Sequence, residues 1–227
     1  MNQPGPGQLV RDYLFLRKAV GIIGFALPSV LAIGNMILHG SGLERSISYY
    51  YYTDLRNVFV GSLCAIGVFL MSTKGYDKRD AVAGGLASVF AIGVALLPTT
   101  PDSNPTLEDK IIGALHLTSA ALLFLTFAYF CLRLFTLTAG NPTPRKLIRN
   151  RVYRICGWII LACVGLIAVV HIPSLEAMLA SVKPVFWLEA LAVMTFGFAW
   201  LTKGEMILKD EESATSKQQA GAAKKSG

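Results

Sequence analysis

At 227 residues, with 53% hydrophobic and 15% charged residues and a mean hydropathy of +0.52, the chain is too apolar for a water-facing surface, which excludes one or two soluble domains. Its net charge of +7 would suggest a nucleic-acid partner in a soluble protein, but here the basic residues are sorted by membrane side, and no nucleic-acid partner is expected. Cys64, Cys131, Cys156 and Cys163 all fall inside apolar runs, so they read as small hydrophobes, with no disulfide framework or CxxC metal pair.

Residues 1–17 read as a cytoplasmic N-terminal segment, in which "LVRDYLFLRK" (9–18) alternates apolar and charged residues and suits the headgroup layer. Crossing a hydrocarbon core of about 30 Å takes about 20 apolar residues. Six such stretches follow: 18–38, 55–73, 80–98, 111–136, 152–171 and 184–203. They predict an all-α fold, a polytopic bundle of six transmembrane helices over 18–204. The first stretch reads as a retained span because its apolar run is long for a signal peptide. Pro28 lies inside it, frees the Gly24 carbonyl and predicts a kink. Pro98, Pro101 and Pro105 close the third span, Pro142 and Pro144 separate the fourth from the fifth, and Pro184 opens the sixth, where its missing N–H costs nothing.

Lipid tails are as apolar as leucine, so spans associate through small residues. The third span supplies Ala83, Ala87, Ala91 and Ala95 with Gly84 and Ser88; the second supplies Gly61, Ser62 and Ala65. Such faces also suit helix–helix self-association. Residues 205–227 are expected to form a disordered cytoplasmic tail, ending in Lys224-Lys225-Ser226-Gly227, a dilysine retrieval pattern if the host is eukaryotic. Of the 21 lysines and arginines, all but Arg45, Arg56, Lys110 and Lys183 fall on one side of the six spans. The positive-inside rule then puts both termini in the cytoplasm, and an even number of spans requires them to share a side. The membrane is the plasma membrane in a bacterium, or an endomembrane in a eukaryote.

The polar groups that are hard to explain gather on the other side. "SISYYYYTDLRN" (46–57) opens the second span with Ser46, Ser48, Tyr49 to Tyr52, Asp54 and Arg56, while His39, Thr99, Thr100, Asp102 and His171 sit at span ends. His116 lies about 8 Å inside the fourth span at 1.5 Å per residue, and Glu189 about one turn inside the sixth. Ionisable groups at that depth need partners or a wet cavity. Asp54, Arg56, His116 and Glu189, with Tyr52 and Ser48, are therefore the ligand-binding candidates. Plainer roles exist for several of them: the tyrosines as an interfacial belt, Asp54 capping the second helix through the Asn57 N–H, Arg56 snorkelling to phosphate.

No catalytic residue can be assigned, and no metal or cofactor is expected. A zinc site would have to draw on His116, His171 and Asp54 from different spans, without an HxxxH or HExxH pair. Ser46 or Ser48 with His116 and Asp54 has the residue types of a triad but no nucleophile elbow. On the cytoplasmic side, "PRKLIRNRVYR" (144–154) sets topology and carries enough charge to attract anionic headgroups.

"SISYYYYTDLRNVFVG", a serine-rich approach into F-x-x-G at the second span, and "LHLTSAALLF" (115–124), a histidine followed by small residues and a phenylalanine, together resemble the damage-regulated autophagy modulator (DRAM-like) family and its uncharacterised bacterial relatives. The resemblance covers roughly 45–135 and rests on short, mostly apolar motifs. It implies a six-helix membrane protein with cytoplasmic termini, and relatives linked to autophagy and to lipid or lipid-anchor remodelling. The matching positions are Ser46, Ser48, Phe59 and His116; the resemblance does not extend to the tyrosine run or Glu189. The expected function is that of a lipid-binding regulator or scaffold, with membrane lipid as partner. An intramembrane lipid hydrolase or transferase using the same pocket is the alternative, and a small transporter the second alternative, though a continuous polar path is missing.

Overall fold

The computed structural model describes residues 6–40, 42–72, 78–138 and 141–208. The expected disordered tail beyond 208, with its dilysine pattern, lies outside the described residues. Residues 205–208, assigned to that tail, form turns following the last helix.

Polar punctuation sets where the helices begin. Thr106 accepts the Asp109 N–H at 3.1 Å while the Asp109 carboxylate accepts the Thr106 N–H at 2.9 Å, a reciprocal box that satisfies two orphan donors. It starts α4 (Leu107–Tyr129) four residues ahead of the expected 111. Thr143 caps α5 (Pro144–Val170) through the Lys146 N–H, with proline in the first helical position. The basic stretch 144–154 is thus the opening of α5, not a loop leading to it, and the expected start at 152 is corrected by two turns.

At the other end of the chain, α1 (Pro6–His39) runs unbroken through Pro28. Residues 9–18 belong to the beginning of that helix, and its apolar part starts at Leu14. The second, third and last expected spans correspond to α2 (Arg56–Ser72), α3 (Lys78–Leu96) and α7 (Pro184–Lys203). Between α5 and α7 lies a short helix, α6 (Pro173–Leu179), followed by a 3-10 turn at Ala180–Val182. Apolar periodicity gave no sign of it.

Five helices, α1, α3, α4, α5 and α7, are long and apolar enough to cross a membrane. The apolar α2 has 17 residues, about 25 Å at 1.5 Å per residue. The long helices form a closed ring in chain order: α1 packs on α2, α2 on α3, α3 on α4, α4 on α5, α5 on α7, and α7 on α1. Large apolar side chains such as Ile33, Ile37, Val89, Leu117, Leu125 and Leu166 face outward, an apolar exterior of the kind that soluble proteins do not carry.

Small residues decide how closely the helices approach. Ala83, Ala87, Ala91 and Ala95 are buried where α3 meets its neighbours. The α2 face is different from the expected one: Gly61 is exposed, and the buried stripe is Phe59, Leu63, Ile66, Gly67 and Leu70. Gly67 is the close-approach glycine, since a Cβ there would come within 3.2 Å of the Ser88 carbonyl. The tightest backbone crossing joins α1 and α7. A Cβ on Gly197 would stand 2.5 Å from the Phe25 nitrogen and 2.8 Å from the Gly21 carbonyl.

The ring is filled unequally. Toward the end where α4 meets α5, Phe127 stacks on Phe196 at 3.4 Å, and Phe130, Phe135, Tyr153 and Trp200 continue the aromatic core. At the opposite end, where α1 hands over to α2, α3 to α4 and α5 to α7, the packing opens. The first is the basic end and the second the tyrosine end.

Candidate functional site at the tyrosine end

Gly40 takes φ +59°, a left-handed value that glycine adopts without a Cβ penalty, and the chain turns back over the bundle end. The returning segment, 42–55, is tied down by bonds to α1, α7 and the α3–α4 connection. Asn35, 1% exposed, donates its amide to the Gly42 carbonyl at 2.9 Å. The Phe186 N–H donates to the Arg45 carbonyl at 3.1 Å. The Glu189 carboxylate accepts the Ile47 N–H at 2.7 Å and the Ser48 N–H at 3.4 Å. Arg45 donates to the Thr100 carbonyl at 2.8 Å, pairs with Asp102 and lies over the Tyr49 ring at 4.4 Å.

The four tyrosines wind into a 3-10 turn, Ser48–Tyr52, so they point in different directions. Tyr50 is fully buried and, with Ile47, plugs the ring. Tyr52 donates its hydroxyl to the Thr99 carbonyl, and Tyr51 accepts from Arg56. Burial pushes the Tyr49, Tyr50 and Tyr52 phenols up; for Tyr49 a hydrogen bond to Asp102 adds to it, and for Tyr52 the charge of Asp109. All three therefore act as neutral hydroxyls at ordinary pH.

Beneath this cap is a cavity of about 450 Å³, within the usual size range of small-molecule sites. The cap contributes Arg45, Ser46 and Ser48, the α3–α4 connection Thr99, Thr100 and Asp102, and α4 Gly113 and His116. His171, Glu176, Lys183 and Glu189 close the far wall from α5, α6 and α7. A smaller void of about 40 Å³ continues inward among Phe59, Leu63, Phe124 and Phe196, too small for an acyl chain.

His116 is 3% exposed. Its Nδ1 is 2.7 Å from the Leu97 carbonyl, and a carbonyl can only accept, so Nδ1 carries a proton and, in the neutral ring, Nε2 presents the lone pair. That Nε2 is buried without a hydrogen-bond partner. The ring is placed by Gly113, one turn earlier on α4, where a Cβ would collide with Thr100 at 1.9 Å. Only glycine lets the 98–106 connection lie close enough for Leu97 to hold the imidazole.

Of the expected residues, His116, Glu189 and Ser48 come together, with His171 beside them. Asp54, Arg56 and Tyr52 do not. Asp54 is 76% exposed and lies 3.2 Å from His39; it does not accept the Asn57 N–H, and the turn ahead of α2 is held by Thr53, which accepts the Leu55 N–H at 3.2 Å. The cause is local: with Ile47 and Tyr50 turned inward, the tight turn carries the chain back to the rim before Asp54. A zinc site from His116, His171 and Asp54 is thereby not assembled, and among the described residues no group of three His, Cys, Asp or Glu is placed to hold a metal ion. The Ser-His-Asp arrangement fails for the same reason.

Sequence reasoning missed Arg45, Glu176 and Lys183 as wall residues. Lys183 sits at φ +52°, ψ +54° directly before Pro184, a left-handed conformation that costs a residue with a Cβ about 1–2 kcal/mol. Among the described residues neither Lys183 nor Glu176 forms an ion pair, so both charges are left to the cavity.

The chain matches no protein-family model, no curated protein and no solved structure.

Proposed function

We propose that the chain is an integral membrane protein of six spans, with α2 crossing as well, that binds a phospholipid headgroup in the cavity at the tyrosine end and acts as a regulator or scaffold. The observation that carries this reading is a cavity with unpaired charges of both signs, Lys183 and Glu176, beside a buried imidazole, at the end of an apolar bundle. A zwitterionic headgroup presents a phosphate and an ammonium, which the two charges complement. The six-span reading is supported by the place of α2 in the ring between α1 and α3, and the cytoplasmic placement of both termini by the charge asymmetry. Three of the positions carrying the DRAM-like resemblance, Ser46, Ser48 and His116, line the cavity, and the fourth, Phe59, lies in the void beneath it.

The test is native mass spectrometry of detergent-purified protein, reading bound lipid and bound metal together for wild type, Lys183→Glu and His116→Ala. Stoichiometric phospholipid in the wild type that is lost in Lys183→Glu is the expected result. A wild type that carries no lipid, or that retains it equally in both variants, removes the reading.

A second reading, an intramembrane lipid hydrolase or transferase, is favoured by one observation: the Nε2 lone pair of His116 has no internal use, and Ser46 and Ser48 share its cavity. A positioned imidazole of this kind is a general base. It predicts turnover of a labelled phospholipid by wild type and none by His116→Ala of equal thermal stability.

A further inference from the structure

At the basic end, α4 does not stop at Tyr129 but widens into a π-helical turn, Phe130–Leu134, closed by the Phe135 N–H on the Phe130 carbonyl at 2.8 Å. Such turns are rare and concentrate at functional sites. Phe130, Cys131 and Leu134 are buried in it, which leaves Arg133 on the outside. There Arg133 borders a hollow of about 600 Å³ together with Arg79 from α3 and Arg154 from α5. A second hollow, of about 610 Å³, continues from it along the α3–α4 seam, sharing Arg79 and Tyr129 and lined further on by Val82, Leu86, Leu122 and Leu125.

Arg133 and Arg154 are exposed cations from two helices that border one hollow, and an anion between them is attracted to both. The planar fork of arginine matches phosphate oxygens in pairs. The adjoining seam is apolar, with Val82 61% and Leu86 48% exposed, and runs from the arginines toward the middle of the bundle, as an acyl chain does from its headgroup. We propose that this is a binding site for one anionic phospholipid, with its phosphate held by Arg133 and Arg154 and one acyl chain laid along the α3–α4 seam. A soluble phosphate would satisfy the arginines and leave the seam unexplained. The site is separate from the cavity at the tyrosine end and stands or falls without it.

The experiment is native mass spectrometry of the full-length protein in detergent, offered phosphatidylglycerol and phosphatidylcholine with identical chains at equal concentration. Wild type is expected to prefer phosphatidylglycerol. Arg133→Gln and Arg154→Gln, both at exposed positions, should each lower that preference about fivefold, the effect of about one basic residue near an anionic headgroup. Arg151→Gln, also exposed on α5 but not in the hollow, should leave it unchanged. Leu86→Trp, which fills the seam from its lipid-facing side, should lower the occupancy of both lipids. The proposal is overturned if Arg133→Gln and Arg154→Gln keep the wild-type preference, or if Arg151→Gln reduces it as much, which would mean a diffuse basic belt. It is equally overturned if inorganic phosphate displaces the lipid while Leu86→Trp changes nothing, since the site would then take a bare anion.

Discussion

A carboxylate one turn inside an apolar helix has to be compensated, and for Glu189 the compensation comes from backbone: two consecutive N–H groups of the cap converge on one of its oxygens. Its first role is therefore to pin the cap, while its exposed surface still belongs to the cavity. Glu189→Gln keeps an acceptor oxygen and should retain most of the stability. Glu189→Leu strands two N–H groups and should cost about 1–3 kcal/mol. Hydrogen exchange across 46–52 checks this: the Ile47 and Ser48 amides should stay protected in the glutamine variant and lose protection in the leucine variant, and equal exchange in both would exclude the pinning role. The tyrosines of the cap make a pH prediction. Burial, the first cause in each case, pushes the phenols of Tyr49, Tyr50 and Tyr52 above the ordinary value of 10.0, so their stabilisation is complete below that value and is lost as pH rises through the folded-state values. In a spectrophotometric titration some of the eight tyrosines should ionise late, with cap amides exchanging faster over the same range. All eight ionising together near pH 10 would contradict the burial of the cap.

Among the helices, close approach is a matter of single glycines, and two of them give opposite predictions. Gly197→Ala drives a methyl into the α1 backbone at Gly21 and Phe25 and should cost about 1–3 kcal/mol, the usual range for overpacking. Gly61→Ala meets nothing within 4 Å and should be neutral or stabilising by up to about 1 kcal/mol through helix propensity. Thermal unfolding in detergent separates the two; equal losses would mean that the exposed face of α2 is packed after all. This pair also shows where the sequence is informative about fold. The alanine repeat of α3 was legible because four small residues at one period leave little choice of face. On α2, small residues lie on both sides of the helix, and the choice falls to the face that also carries Phe59, Leu63 and Leu70. Proline and threonine punctuation at 143–144 and 106–109 was present in the sequence, but hydropathy looks for apolar runs and so misplaces helix starts that are polar. The short α6 leaves no periodic signal at seven residues.

For the molecule as a whole, the candidate site was legible through depth and illegible through adjacency. His116 and Glu189 stand out in the sequence because intramembrane ionisable groups need a reason, and they do meet in one cavity. Asp54 and Arg56 were grouped with them because they fall at the same end of the expected spans, yet the tight turn carries Asp54 out to the rim. The better signal was global: only Arg45, Arg56, Lys110 and Lys183 depart from the charge asymmetry, and two of these four, Arg45 and Lys183, line the cavity. On the proposed six-span reading, a cation on the disfavoured side needs a local reason, and for these two the cavity offers one. The same asymmetry fixes the orientation to be tested, and α2 is the element on which the test turns. If α2 and α3 both cross, Gly42 and Glu108 lie on the same side; if only α3 crosses, they lie on opposite sides. Both positions are exposed, as is Arg145, whereas Cys131, Cys156 and Cys163 are buried and Cys64 is partly so. Single Gly42→Cys, Glu108→Cys and Arg145→Cys variants in intact cells, treated with a membrane-impermeant maleimide, should label at 42 and 108 directly and at 145 only after permeabilisation. Labelling of 42 and 108 from opposite sides would make α2 a buried or re-entrant helix, and would put the cap and the α3–α4 connection, which Arg45 joins at 2.8 Å through the Thr100 carbonyl, on two faces of a membrane that no such contact can span.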